Sequence, residues 1–225
     1  MREQNLQLKD RTRLLEFEIA SAIRQMRARE RETILFAANL SEFHAHQHGY
    51  RLLRIPRYAR LIAEAIGLDD AAAECIELAS TLHDVGKIGI PDHILLDEAE
   101  MSEMHAVALR EHTDIGHRLL ADSASEYLQM AAQISLHHHE RYDGKGYPKG
   151  LKGDEIPLPA RIVTVAEAFD LLTCGSQPRA APDIAAAIHR LTAGKGGEFD
   201  PQCVDALSAQ MAAATEIIHT FADAD

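Results

Sequence analysis

The sequence has no tryptophan, and it has three cysteines in 225 residues. Cys75, Cys174 and Cys203 are far apart, odd in number and form no CxxC pair. A disulfide framework is therefore not expected, and a reducing compartment fits. No apolar run reaches transmembrane length, there is no early apolar segment of the secretory kind, and the start, MREQNLQLKDRTR, is strongly polar. These absences lead us to expect a cytoplasmic protein that does not enter a membrane. Alternating apolar and polar runs of strand length are missing, and so are internal repeats, which leaves an all-α fold as the expectation. Positive charge is scarce: 23 Lys and Arg stand against 35 Asp and Glu, a formal net charge of −12. Such a chain repels a polyanion, so binding of a nucleic-acid polymer is disfavoured, while a small anionic substrate can still be held where local cations line a cleft.

At 46% hydrophobic and 26% charged residues, the chain can bury a core without covalent staples, and its length suits one compact domain with an appendage. Glycine and proline are absent before Gly49, so residues 1–40 read as one long helix. Within it Leu8, Thr12, Leu15, Ile19, Ala22 and Met26 follow alternating steps of four and three, with Arg11, Glu16, Glu18, Arg24 and Arg27 off the seam. This heptad pattern predicts a short dimeric coiled coil; a helix lying on its own domain is the alternative. Further helices are predicted over 51–66 (stopped by Gly67), 69–86, 101–120, 124–139, 160–173, 182–192 and from Pro201 onward, with a Gly- and Pro-rich loop over 143–159.

Thirteen histidines are the most informative part of the composition, because histidine is the commonest metal ligand at neutral pH. His83 and Asp84 are adjacent near the end of an apolar helix, where a buried pair is costly unless it is paired or holds a metal. A carboxylate so placed can bridge two ions. His137, His138 and His139 follow one another before Glu140. Neighbours on a helix point about 100° apart, so two of the three can flank one ion while the third faces away. A solvated histidine patch is the alternative.

With the motifs laid out, the chain resembles the HD-GYP family of metal-dependent phosphohydrolases. HDVGKIGIPD (83–92) looks like the family's HD signature, HHERYDGKGYPKGLKGDEIPLPARIVTVAEAFDLLT (138–173) like its GYP signature, and EFDPQCVDAL (198–207) like its closing motif, with REHTDIGHRLL (110–120) between them. The resemblance covers roughly residues 30–210. It implies a helical bundle around a two- or three-metal centre and hydrolysis of the bacterial second messenger cyclic di-GMP. It also implies domain limits: residues 1–40 as the dimerisation or linker helix, 41–210 as the phosphohydrolase domain, and 211–225 as the tail. In relatives such N-terminal helices often link the unit to an upstream receiver or sensor.

Position by position, His83 resembles a terminal ligand of the first metal and Asp84 the carboxylate bridging two. His112, His138 and His139 resemble ligands of the second metal, and Glu167 stands where the family closes the first metal's shell with aspartate. Lys87 resembles the lysine that meets a substrate phosphate, and Tyr147 the tyrosine of the Gly-Tyr-Pro lip. The mixed imidazole and carboxylate donors suit iron or manganese, one or two ions per chain. Such ions lower the pKa of a water and neutralise charge at phosphorus, with Lys87 assisting.

The sequence departs from the family in three places. Where the family carries Glu-Thr-Gly-x-His, this chain reads Gln47-His48-Gly49-Tyr50-Arg51. Gln47 is a poor ligand, and Arg51 cannot deprotonate to become one, although its charge can occupy the place of an ion or hold a phosphate. His44, His46 or His48 could supply an imidazole instead, or form a solvated turn. Glu167 adds a methylene to the expected aspartate. The loop after Thr173 reads Gln177-Pro178-Arg179-Ala180, in which Arg179 can substitute for a substrate-binding arginine. These departures keep a second reading open: a degenerate module that retains one metal and acts through dimerisation and protein partners.

Overall fold

The computed structural model describes residues 2–45, 50–95, 103–174 and 183–222, with side chains from residue 11 onward. Among these residues the chain is helical and contains no strand, only two isolated bridges, Asp143 with Lys152 and Lys195 with Phe199. The helices are α1 (Arg2–His44), α2 (Arg51–Ile66), α3 (Asp70–Ser80), α4 (Asp92–Leu95), α5 (Glu103–Arg110), α6 (His112–Leu120), α7 (Glu126–His137), α8 (Leu158–Cys174), α9 (Ile184–Ala193), α10 (Pro201–Ala209) and α11 (Met211–Thr220). Two compact units are distinguished, residues 1–36 and 37–225. In the first, Leu14, Leu15, Phe17, Ile19, Ile23 and Met26 are exposed apolar side chains. No described helix is long and apolar enough to cross a membrane.

In the second unit α2 and α8 form the centre of the core. Tyr58 of α2 meets Phe169 of α8 edge to face at 5.1 Å, and Ile55, Ile62, Ile76, Ile134, Ile162 and Leu207 are fully buried around them. The helix starts are fixed by side-chain caps: Asp69, Ser125, Asp183 and Asp200 each accept a backbone N–H of the following turn. Gly67 ends α2 in the left-handed conformation, φ 99°, as the sequence predicts.

Three predicted helices are interrupted. The span 69–86 stops being α-helical at Ser80. Beyond it the chain tightens into i→i+3 bonds, His83 N–H to Ser80 O and Lys87 N–H to Asp84 O, and continues as a 3-10 turn over Val85–Gly89. Three residues per turn bring positions 84 and 87 onto one side, which an α-helix would not do as closely. The span 101–120 is interrupted at Glu111 between α5 and α6, where the Glu111 N–H bonds Ala108 O at 3.1 Å, an i→i+3 bond, and His112 Nδ1 donates to the Leu109 carbonyl at 2.6 Å. The helix from Pro201 breaks at Gln210, φ −109° and ψ 23°.

One close approach sets the geometry of the centre. A Cβ on Gly86 would stand 1.9 Å from the His112 carbonyl oxygen and 2.5 Å from the Gly116 nitrogen, and one on Gly116 would stand 2.1 Å from Ser135 Oγ. Glycine at position 86 lets the 3-10 turn pack backbone to backbone on α6, and glycine at 116 leaves room for the Ser135 side chain of α7. That packing delivers Asp84, His112 and the end of α7 to the same point.

Candidate metal centre

Four side chains from three segments converge there. Asp84, His112, His138 and His139 can each offer a ligand atom within 4.8 Å of the others. Asp84, His112 and His138 are buried, at 4%, 2% and 1% exposure, so these donors meet almost without solvent. Both His112 and His138 have their Nδ1 pointed at backbone carbonyls, Leu109 O at 2.6 Å and Ser135 O at 2.9 Å. Nδ1 therefore carries the proton, and each Nε2 turns a lone pair inward. The two Nε2 atoms lie 3.4 Å apart, at 3.4 and 3.7 Å from Asp84 Oδ1. That oxygen is buried and has no hydrogen-bond partner among the described residues. Three electron pairs facing one another without a proton between them are costly, and a cation at their meeting point removes the cost. The donor set fits a divalent metal ion.

The electrostatics agree. Burial pushes His112 down to about 4, and burial together with neighbouring His138 pushes His139 down to about 2. Both imidazoles are neutral at neutral pH and free to act as ligands. Asp84 stays well below the usual carboxylate range: burial opposes its charge, but the Lys87 ammonium beside it outweighs burial. His137 is the histidine that faces away, buried and 3.9 Å from Glu140.

A second group, His83, Asp84 and Glu167, also brings potential ligand atoms together. Here a cation is already present. Arg51 Nη2 donates to Glu167 Oε1 and lies 3.3 Å from His83 Nε2 and 3.5 Å from Asp84 Oδ2. Burial would raise Glu167, but Arg51, with His83, holds it down at about 2. This donor set does not fit an ion while the guanidinium stands in it.

The remaining sequence-predicted residues are placed as follows. Lys87 Nζ donates to Asp84 Oδ2 at 2.6 Å. Tyr147 stacks on His139, with ring centroids 4.8 Å apart and planes at 24°. Burial keeps its phenol protonated. Arg179 and Gln47, like His46 and His48, lie outside the described residues. His44 turns its Nε2 to Ile90 O at 3.4 Å and Asp92 at 3.9 Å, with no contact to the ligand groups.

Several residues were not singled out from the sequence. Thr164 Oγ1 donates to His138 O at 2.6 Å, fixing the backbone of a ligand. Buried Glu140 accepts the Lys149 and Leu151 N–H groups, at 2.8 and 3.1 Å, and so ties down the Gly-Tyr-Pro loop. Arg110 places its guanidinium over the Tyr147 ring at 5.0 Å. Arg54 binds Asp170 through two nitrogens, at 2.6 and 3.2 Å. Spacing carried a signal for the last: Arg51 and Arg54 are three apart, as are Glu167 and Asp170. Beside His138, His139 and Glu167 opens a cleft of about 280 Å³, walled by Thr164, Leu171 and Phe199.

Comparison with known proteins follows the same line. The family model of the HD domain matches residues 17–203. The chain is 40% identical over 224 residues, all of its own length and 59% of the relative's, to the cyclic di-GMP phosphodiesterase response regulator RpfG of Xanthomonas campestris. It is 37% identical over 167 residues to a cyclic di-GMP phosphodiesterase of Thermotoga maritima, covering 74% of this chain and 45% of that one. It thus spans about half the length of these curated relatives. The fold alone is shared with a solved cyclic GMP-AMP specific phosphodiesterase of V. cholerae, at a TM-score of 0.57 and 18% identity over 85% of this chain and 54% of that one. The chain belongs to the HD domain family and, through its HDVGK and Asp143–Pro148 segments, to the HD-GYP branch.

Proposed function

We propose that the protein hydrolyses a phosphodiester bond of a cyclic dinucleotide, cyclic di-GMP, at the Asp84–His112–His138–His139 centre. The observation that carries this reading is the inward convergence of the two Nε2 lone pairs on the orphaned Asp84 Oδ1. A divalent ion held there supplies Lewis acidity at phosphorus and lowers the pKa of water. Iron or manganese suits the mixed donors. The protein's own groups do the rest. Leu109 O and Ser135 O hold the imidazoles in the ligand tautomer. Lys87, anchored on Asp84, brings a fixed positive charge to the phosphate oxygens. Tyr147, kept protonated and stacked on His139, closes one side of the site as a donor. Water adds to phosphorus, the ester P–O bond breaks, and the leaving oxygen takes the proton.

The exposed apolar side chains of residues 14–26 support homodimerisation through the N-terminal helix. We place the protein in the cytoplasm, taking its input from an upstream receiver or sensor. A second reading, a module that holds an ion without turnover, is favoured by Arg51 standing in the other ligand group.

The test is elemental analysis of anaerobically purified protein, paired with hydrolysis assays on cyclic di-GMP and 3',3'-cyclic GMP-AMP in added Mn²⁺ or Fe²⁺. Bound metal with turnover of cyclic di-GMP supports the proposal, and faster turnover of the mixed dinucleotide would reassign the substrate. Bound metal with no turnover in either ion establishes the second reading. His138→Ala should lower bound metal; unchanged metal content would sink the ligand assignment.

A further inference from the structure

The two ligand groups share Asp84 but differ in what fills them. Among the described residues, the His112–His138–His139 group has lone pairs converging without a cation. In the other group, one nitrogen, Arg51 Nη2, lies within reach of every donor: Glu167 Oε1, His83 Nε2 at 3.3 Å and Asp84 Oδ2 at 3.5 Å. His83 Nδ1 donates to Ser80 O at 2.8 Å, so its Nε2 lone pair points at the guanidinium as it would at a metal. Arg51 and Lys87 already answer the carboxylates of Asp84 and Glu167, so a dication entering the group would meet a fixed like charge at contact distance. The guanidinium cannot yield by losing its proton.

We infer that Arg51 is a resident cation standing in place of a metal ion, so that the centre takes one divalent ion, beside His112, His138 and His139. Arg51 then supplies the second positive charge to the phosphate. Its side chain keeps 23% exposure, which leaves it within reach of an anion. Planar N–H donors match phosphate oxygens, so the substitution keeps the charge of a two-cation site while removing one exchangeable ion. This inference rests on the metal-centre reading above, and the test separates the two.

The experiment is Mn²⁺ titration of the full chain, read by elemental analysis after dialysis and by electron paramagnetic resonance, for wild type, Arg51→His and Arg51→Ala. Wild type is expected to bind one Mn²⁺ per chain with an uncoupled signal. Arg51→His, which offers an imidazole where the charge stood, should bind two with a spin-coupled signal. Arg51→Ala should lose at least tenfold in turnover at low Mn²⁺ and regain it at high Mn²⁺, as an ion takes the vacated place. Two coupled ions in wild type would overturn the inference and leave the metal-centre reading intact. So would circular dichroism showing both variants folded while neither gains an ion. No ion in wild type would overturn the metal-centre reading and the inference with it. Wild-type stoichiometry decides even if a variant fails to fold.

Discussion

Arg54 and Arg51 lie one turn apart on α2, and each meets a carboxylate of α8, Asp170 and Glu167, also one turn apart. The inner pair is sealed. Arg54 and Asp170 side chains are 2% and 5% exposed, two nitrogens grip the carboxylate, and a third donates to Phe221 O at 2.9 Å. The outer pair is open. Arg51 and Glu167 are 23% and 19% exposed, one nitrogen serves three acceptors, and Nε has none. The same chemistry thus serves two ends. A fully answered charge locks two core helices together, whereas the other pair, whose carboxylate borders the cleft, keeps part of its surface exposed. Arg141 with Asp143 extends the series to the surface, with Arg141 at 35% exposure.

The largest effect should come from breaking the inner pair. Asp170→Ala leaves a guanidinium buried without its carboxylate and should cost about 3–5 kcal/mol. Glu167→Gln, which keeps an acceptor oxygen at the half-buried pair, should cost less, about 1–2 kcal/mol. Urea unfolding of both variants checks this, and equal losses would erase the distinction. Next is Gly86→Ala, whose Cβ would collide with the His112 carbonyl. It should destabilise by about 1–3 kcal/mol and weaken Mn²⁺ binding, because relief of the clash moves His112 away from Asp84.

Smaller is Thr164→Val, which removes the hydrogen bond to the His138 carbonyl. About 1 kcal/mol of stability and about tenfold in Mn²⁺ affinity should go with it, by calorimetric titration. The smallest belongs to the surface pair. Hydrogen bonding from Arg141, aided by the Lys145 N–H, holds Asp143 below its ordinary 3.8, at about 2. A depressed carboxylate stabilises above its unfolded pKa, and the contribution disappears as pH falls from about 4 toward 2. Asp143→Asn should therefore flatten the stability–pH curve in that window alone, as acid unfolding would show.

Much of the fold was legible because helix punctuation is local. Gly67 and Pro201 mark ends and starts that the structure keeps. Ser80 and Glu111 were not legible as breaks, because what marks both is tighter i→i+3 bonding. Hydrophobic period does not report such contacts. In the site, the motifs singled out Asp84, His112, His138, His139 and Lys87, and the structure brings them together. Arg51 was noted as a departure, but its three partners come from segments 32 to 116 residues away. Arg110 over Tyr147 and Glu140 under the loop depend on tertiary placement that spacing along the chain does not encode.

The glycine contact between the 3-10 turn and α6 has a wider consequence. It gathers donors from positions 84, 112 and 138–139, so an ion seated among them fastens together stretches of chain that are far apart in sequence. Occupancy then acts as a reversible cross-link: the unfolded chain cannot keep it, and each tenfold rise in free metal above the dissociation constant adds about 1.4 kcal/mol to the folded state. The melting temperature becomes a gauge of how much metal the cell supplies, and a metal-starved cell would hold a looser, more readily degraded population of the same protein.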